Sequence, residues 1–110
     1  MAWLLRDGEV LASIEVADST RDRVRGLLGR DGLEGALLIE KAFQAHTLAM
    51  RFAIDVAFLD RDRRVRAVVC GMRPWRLSLP RFGARSVLEA ETGSFERWRL
   101  RVGDELEIRS

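Results

Sequence analysis

The sequence has few of the residues that build cross-linked or reactive sites. Its 110 residues include one cysteine, one histidine, one lysine, two prolines and no tyrosine. The single thiol, Cys70, cannot close an internal disulfide, so the fold does not depend on an oxidising compartment. No apolar run approaches the ~20 residues of a membrane span, and the N-terminus lacks the pattern of a signal peptide. We therefore expect a cytoplasmic protein and no membrane partner.

The composition that remains is typical of a folded chain. Hydrophobic residues make up 47% and charged residues 33%, values found in globular domains rather than in disordered segments. The length fits one domain spanning residues 1–110. Arginine supplies nearly all of the positive charge, with Lys41 as the one lysine, yet the net charge is only +2. This overall charge does not indicate a nucleic-acid partner.

Short apolar runs predict a β-rich fold. Residues 3–6 and 10–16 predict a hairpin, because the Asp-Gly pair between them is a favoured two-residue turn. The other predicted strands lie at 36–39, 47–50, 54–59, 65–69, 86–91 and 106–108. Two prolines predict a loop at 73–83. The predicted fold class is mainly β, a small antiparallel barrel or sandwich with one or two short helices.

One helix is predicted between the second and third strands. Val24 and Leu27 fall on one helical face of the segment 18–28. Ser19 is in position to cap the start of the helix, and Gly29 follows its last apolar residue. A second short helix is predicted to begin near Ser94.

Three segments resemble, in order, the motifs of a known family. The first is RGLLGR at 25–30, the second is HTLAMRFAIDVAFLD at 46–60, and the third is ARSVLE at 84–89, followed by a Gly-Asp pair at 103–104. They are similar to the motifs of the bacterial and archaeal family called domain of unknown function 192. The resemblance covers about residues 12–108. It implies a compact β-rich fold, and it implies no activity.

Three positions depart from the pattern of that family. Leu28 stands where methionine is usual, and Ala53 stands where many relatives have proline. Ala42 stands where relatives with the His-Thr pair often have cysteine, four residues before His46. The third departure argues against metal or thiol chemistry shared across the family.

Two carboxylates in apolar strands are candidates for a functional site. Asp55 and Glu89 each lie inside a predicted strand, and a buried carboxylate must be paired or hydrogen-bonded. Asp55 can pair with Arg51 or accept hydrogen bonds from loop amides, or it can face a ligand pocket. Asp55 and Glu89 facing each other, with His46 nearby, would resemble the paired carboxylates of a hydrolase.

Sulfur-containing residues offer a second candidate site. The soft ligands are His46, Met50, Cys70 and Met72. They would suit Cu(I), since Cys70 and Met72 are two residues apart and should share one face of a strand. Cys70 and His46 would also be the members of a nucleophilic dyad. Methionines and a thiol at a strand end usually serve packing, so we expect no metal and assign no cofactor.

The segment 61–85 concentrates arginine and aromatic residues. It has eight arginines and a single acid, together with Trp75 and Phe82. Such a segment can bind single-stranded nucleic acid through charge and stacking, although no recognised nucleic-acid motif accompanies it. The alternative is a solvated loop in which Trp75 plugs one end of the barrel.

The leading hypothesis is a non-enzymatic binding module for a small anionic ligand or a protein partner. Its pocket is predicted to contain His46, Met50, Arg51, Asp55, Trp75 and Glu89. One alternative is a small hydrolase or metal-dependent enzyme that uses Asp55, Glu89 and His46. The other alternative is a nucleic-acid-binding protein that uses residues 61–85.

Overall fold

A computed structural model describes residues 2–110 and organises them around one curled sheet. The strands are β1 Ala2–Arg6, β2 Glu9–Ala17, β3 Ala36–Glu40, β4 Ile54–Leu59, β5 Val65–Met72, β6 Ser86–Glu91 and β7 Leu106–Arg109. The helices are α1 Thr20–Arg25 and α2 Ser94–Trp98. Neither of these helices, nor any other helix in this range, is long and apolar enough to cross a membrane.

The order of the strands across the sheet is β5-β4-β6-β3-β2-β1-β7. Neighbouring strands are antiparallel except β2 and β3, which are parallel and are joined through α1. The two edges approach each other: the N–H of Val65 donates to the carbonyl of Asp104 at 2.8 Å, and Arg64 bridges to Glu105. The sheet therefore curls into a half-barrel, which confirms the predicted mainly β fold with short helices.

The first hairpin turns where the sequence predicts. Asp7 and Gly8 have φ of 52° and 80°, the two positive values that a type I′ turn needs. The predicted strands at 54–59 and 86–91 coincide with β4 and β6. These are the segments in which apolar pattern and turn chemistry agree.

Each face of the sheet has its own hydrophobic core, because alternate residues of a strand point to opposite sides. The core that includes Leu88 is covered by α2, with Phe95 packed into it. The other core is covered by the loops at 27–33, 41–53 and 73–85. We call these two sides the α2 face and the loop face.

The helix α1 is shorter than predicted. Its N-cap is Ser19, as expected, but the chain leaves the helix at Gly26, with φ of 46°, rather than at Gly29. Val24 was predicted on the buried face and is 69% exposed, whereas Leu27 is buried. The cause is the positive φ at Gly26, which a helix interior excludes.

The predicted strand at 47–50 is wrong. These residues form turns, and the pairing nearby is a single bridge between His46 and Leu77. Ala49 has φ of 60°, a left-handed conformation that ends an extended run. The segment therefore becomes part of the loop at 41–53 that covers the loop face.

Candidate functional site

A cavity of about 240 Å³ lies on the loop face, between α1, β6 and the loop at 41–53. Its walls are largely apolar and come from α1 and the residues that follow it, from the end of β3 and from that loop. Three of the six predicted ligand-binding residues line it: His46, Met50 and Glu89. These three come from positions far apart in the sequence, and the fold brings them to one place.

Glu89 forms the base of this cavity. It lies in the middle of β6, opposite Leu37 of β3 and Val56 of β4, and only 3% of it is exposed. Burial raises the pKa of the Glu89 carboxyl from 4.5 to about 8, because low-dielectric surroundings disfavour its charged form. At neutral pH the group is mostly an uncharged acid, which can donate a hydrogen bond.

The Glu89 carboxyl has no partner within the described part of the chain. Burial is the one cause of its raised pKa, with no contribution from a hydrogen bond or a neighbouring charge. Every fully enclosed side-chain oxygen or nitrogen among residues 2–110 has a hydrogen-bond partner. The Glu89 oxygens are therefore not fully enclosed, and they open onto the cavity that the residue lines.

His46 and Met50 contribute from the loop at 41–53. The Nδ1 atom of His46 accepts a hydrogen bond from the N–H of Leu48 at 3.2 Å. In the neutral ring, Nε2 is then the nitrogen that donates. Met50 is 5% exposed and supplies part of the apolar wall.

Thr47 holds this loop in place, and its role was not predicted. Its hydroxyl donates to the carbonyl of Arg73 at 2.5 Å and accepts from the N–H of Arg76 at 2.9 Å. Thr47 is fully buried, so these bonds fix the loop at 41–53 against the loop at 73–85. The only available signal was its position beside His46 in the second family-like segment.

Three cations line the cavity, and they were also not predicted. They are Arg23, Arg25 and Lys41, and Glu89 is the one acid among the lining residues. Because Glu89 is mostly uncharged at neutral pH, the cavity has positive surroundings that attract anions. Arg25 is the first residue of the first family-like segment, and this position could have marked it as a candidate site residue. Lys41 itself has a left-handed backbone conformation, with φ of 56°, and it lines the cavity. The sequence does not indicate this conformation.

Asp55 does not share this cavity, because it lies on the α2 face. In the register of β4 and β6 it is opposite Ala90, whereas Glu89 is opposite Val56. Neighbouring positions along a strand point to opposite sides of the sheet. The two carboxylates cannot act on one bound group, so the paired-carboxylate arrangement is ruled out.

The Asp55 carboxylate instead holds backbone amides. Its Oδ1 accepts from the N–H of Gly71 at 2.8 Å, and its Oδ2 accepts from the N–H groups of Gly93 and Phe95 at 3.0 and 3.1 Å. These bonds join β5 to the start of α2. Of the alternatives for Asp55, bonding to loop amides is the one found, and pairing with Arg51 is wrong.

Arg51 and Trp75 lie outside the cavity as well. Arg51 pairs with Asp31 at 2.8 Å on the surface. Trp75 is 64% exposed, so it does not plug an end of the barrel. Its φ of 65° turns the chain at the start of the loop at 73–85.

The predicted cluster of soft ligands does not assemble. A bulge at Gly71 shifts the register of β5, so Cys70 is exposed while Met72 is buried in the core of the loop face. Partial burial, followed by the charges of Asp55 and Glu96, raises the pKa of the Cys70 thiol, which disfavours a nucleophilic thiolate. Within residues 2–110, no three His, Cys, Asp or Glu side chains group as metal ligands.

A wider depression of about 890 Å³ lies beside the cavity, near Phe82. Two of its carboxylates are already paired, Glu40 with Arg63 and Asp60 with Arg66, each at 2.8 Å. It lacks an unpartnered buried acid of the kind that Glu89 provides. We therefore assign the candidate site to the smaller cavity.

Comparisons with known proteins agree with this fold. A UPF0127 protein of Pyrococcus furiosus is 34% identical over 104 residues, which cover 90% of this chain and 89% of the relative. A UPF0127 protein of Pyrococcus abyssi is 33% identical over 99 residues, 86% of this chain and 84% of the relative. A crystal structure of a protein of unknown function from Novosphingobium aromaticivorans is similar with a TM-score of 0.80 at 22% identity. That similarity covers 96% of this chain and 82% of the other.

The family model covers nearly the whole chain. The family DUF192, described as "Uncharacterized ACR", matches residues 2–108. This range includes all three segments on which the resemblance depends. The chain belongs to the DUF192 family.

Proposed function

We propose that the protein is a binding module that takes a small anionic ligand into the cavity above Glu89. The supporting observation is that the buried Glu89 carboxyl has no partner among the described residues and opens onto the cavity. With its pKa raised from 4.5 to about 8, this group destabilises the fold at pH 7 by about 3 kcal/mol. A ligand that accepts a hydrogen bond from it offsets this loss.

Size, wall chemistry and charge define the class of ligand. A volume of about 240 Å³ lies just below the ~300–1,000 Å³ of pockets for drug-sized molecules. Apolar walls such as Ile39 and Met50 favour a hydrocarbon body, and Arg25 and Lys41 favour a negative charge. These properties fit a short branched carboxylate whose oxygen accepts the hydrogen bond of Glu89.

Calorimetry with defined probes tests this proposal. We expect isobutyrate or isovalerate to bind below pH 7, and the matching alcohols to bind at least tenfold more weakly, since about 1.4 kcal/mol is tenfold. The variant Ala42→Phe fills the cavity and should abolish binding. The control Val102→Phe adds the same ring at an exposed position outside the cavity. No binding of either carboxylate, or unchanged binding by Ala42→Phe, would contradict the proposal.

We also propose that the module is non-enzymatic and cytoplasmic. The hydrolase alternative needs Asp55 to act together with Glu89 and His46. Asp55 lies on the other side of the sheet from Glu89, and its oxygens already accept hydrogen bonds from backbone amides. The single cysteine is compatible with a reducing compartment.

A further inference from the structure

The loop at 73–85 presents an exposed apolar surface that the cavity does not explain. This loop is joined to the loop at 41–53 by backbone hydrogen bonds of 2.7 to 2.9 Å. Four apolar side chains project from it: Trp75, Leu77, Leu79 and Phe82. Each is between 64% and 81% exposed. Leu77 and Leu79 line one shallow depression, and Phe82 packs on Phe43 with ring centroids 5.4 Å apart. Exposed apolar side chains close together on one loop mark an interaction surface, and we call these four residues the apolar loop surface.

The same loop is strongly basic. Its arginines are Arg73, Arg76, Arg81 and Arg85, and no acidic residue occurs between Asp62 and Glu89. None of these four arginines forms an ion pair within residues 2–110. Arg81 lies over the ring of Phe58, 5.9 Å from its centroid. The charge of the other three arginines is available to a partner beside the apolar loop surface.

We propose that the apolar loop surface docks on an anionic lipid surface. A second copy of the chain is disfavoured, since two identical basic surfaces repel each other. Nucleic acid is disfavoured because Leu77 and Leu79, which are among the most exposed apolar residues, cannot stack on bases as aromatic rings do. An anionic membrane surface accepts both the aliphatic and the cationic groups.

The arrangement matches the chemistry of the lipid interface. Tryptophan is favoured at the level of the headgroups, and leucine and phenylalanine reach the acyl boundary. Arginine near an anionic surface adds about fivefold to membrane partitioning for each residue. This proposal replaces the expectation of no membrane partner, which rested on the absence of a spanning segment. Hydropathy along the sequence indicates spanning segments and does not indicate a surface contact.

Vesicle co-sedimentation of the full chain tests this proposal. The vesicles are phosphatidylcholine with about one-third phosphatidylglycerol, compared with phosphatidylcholine alone, at low and physiological salt. We expect binding to the anionic vesicles and little to the neutral ones. The variant Arg76→Gln/Leu77→Ser should bind at least tenfold more weakly, from about fivefold for the arginine and a further factor for the leucine.

A matched variant and competing polyanions complete the test. The matched variant Arg101→Gln/Val102→Ser also replaces one arginine and one aliphatic residue, here in an exposed turn after α2. It should bind vesicles as the unmodified protein does. Leu77→Ser/Leu79→Ser should weaken vesicle binding while the melting temperature stays unchanged. The proposal is overturned if anionic vesicles do not bind, or if the matched variant loses as much affinity. It is also overturned if Leu77→Ser/Leu79→Ser binds vesicles as tightly as the unmodified protein does. Binding of single-stranded DNA or polyglutamate as tight as the binding of vesicles would overturn it as well.

Discussion

Two buried carboxylates, Asp55 and Glu89, show how side chains of similar chemistry take different roles. They are 1% and 3% exposed and lie on adjacent strands of one sheet. Asp55 accepts three backbone hydrogen bonds, from the N–H groups of Gly71, Gly93 and Phe95. No such bond reaches Glu89, and burial alone shifts its pKa. Asp55 therefore serves the fold, and Glu89 is left available to a ligand.

The stability of the protein should fall as pH rises because of Glu89. The unfolded chain releases the Glu89 proton near pH 4.5, whereas the folded chain keeps it until about pH 8. The folded state therefore binds more protons between these values, and its free energy of unfolding declines across that window. Glu89→Gln should remove this slope and be more stable at pH 8 by about 3–5 kcal/mol. Urea unfolding at pH 5 and pH 8 measures it.

The control for this experiment is Glu34→Gln, which changes an exposed glutamate. Its unfolding free energy should follow that of the unmodified protein at both pH values. If Glu89→Gln shows the same decline between pH 5 and pH 8 as this control, the carboxyl does not titrate as described.

Replacement of Asp55 should damage the fold rather than ligand binding. In Asp55→Asn an NH₂ group replaces one oxygen. This donor then faces backbone N–H groups whose hydrogen bonds the carboxylate had accepted. We expect a loss of about 3–5 kcal/mol, since hydrogen bonds to a charged group contribute about 1.5–3 kcal/mol each. Urea unfolding gives the value, and Asp62→Asn in the exposed turn before β5 should change it little. Equal values for both variants would show that Asp55 is not a structural carboxylate.

At the scale of elements, prediction from sequence succeeded where the signal was local. The turn at Asp7-Gly8 and the apolar runs of β4 and β6 carry their own signals, and the structure has them as predicted. The bulge at Gly71 was not predicted, because a strand pattern cannot show where its alternation shifts by one residue. Because of that shift Cys70 is exposed while Met72 is buried, so the predicted cluster of soft ligands does not form.

The structure brings together three of the six residues that the sequence analysis assigns to one pocket. His46, Met50 and Glu89 line one cavity, whereas Asp55 lies on the opposite face of the sheet. The face of a residue depends on the register of strands that are distant in the sequence, and register is a tertiary property. Left-handed residues such as Lys41 direct the loop around the cavity, and non-glycine residues give no sequence signal for that conformation.

The parallel pairing of β2 with β3 depends on a glycine at its start. A Cβ at Gly35 would lie 2.5 Å from the carbonyl oxygen of Ser13, and the φ of Gly35 is 77°. Gly35→Ala should therefore lower the free energy of unfolding by about 2–4 kcal/mol. Gly83→Ala is the matched control, because nothing lies within 4 Å of its Cβ position; it should be neutral or gain up to about 1 kcal/mol. Thermal or urea unfolding compares them, and similar losses in both variants would contradict this account.

At the scale of the whole molecule, the two faces of the sheet differ in packing and in charge. The α2 face is sealed by a hydrophobic core and by the hydrogen bonds of Asp55. The loop face holds the cavity, the cations around it and the basic loop at 73–85. A net charge of only +2 conceals this asymmetry, since the stretch 63–88 has arginines and no acidic residue.

The most direct test is a ¹³C NMR titration of the Glu89 side-chain carboxyl, with and without saturating isovalerate. The structure places this pKa at about 8 in the unliganded protein. A bound anion favours the protonated carboxyl, so the pKa should rise further when isovalerate is present. A pKa near 4.5, or a pKa that isovalerate leaves unchanged, would contradict the assignment of Glu89 to a ligand-binding cavity.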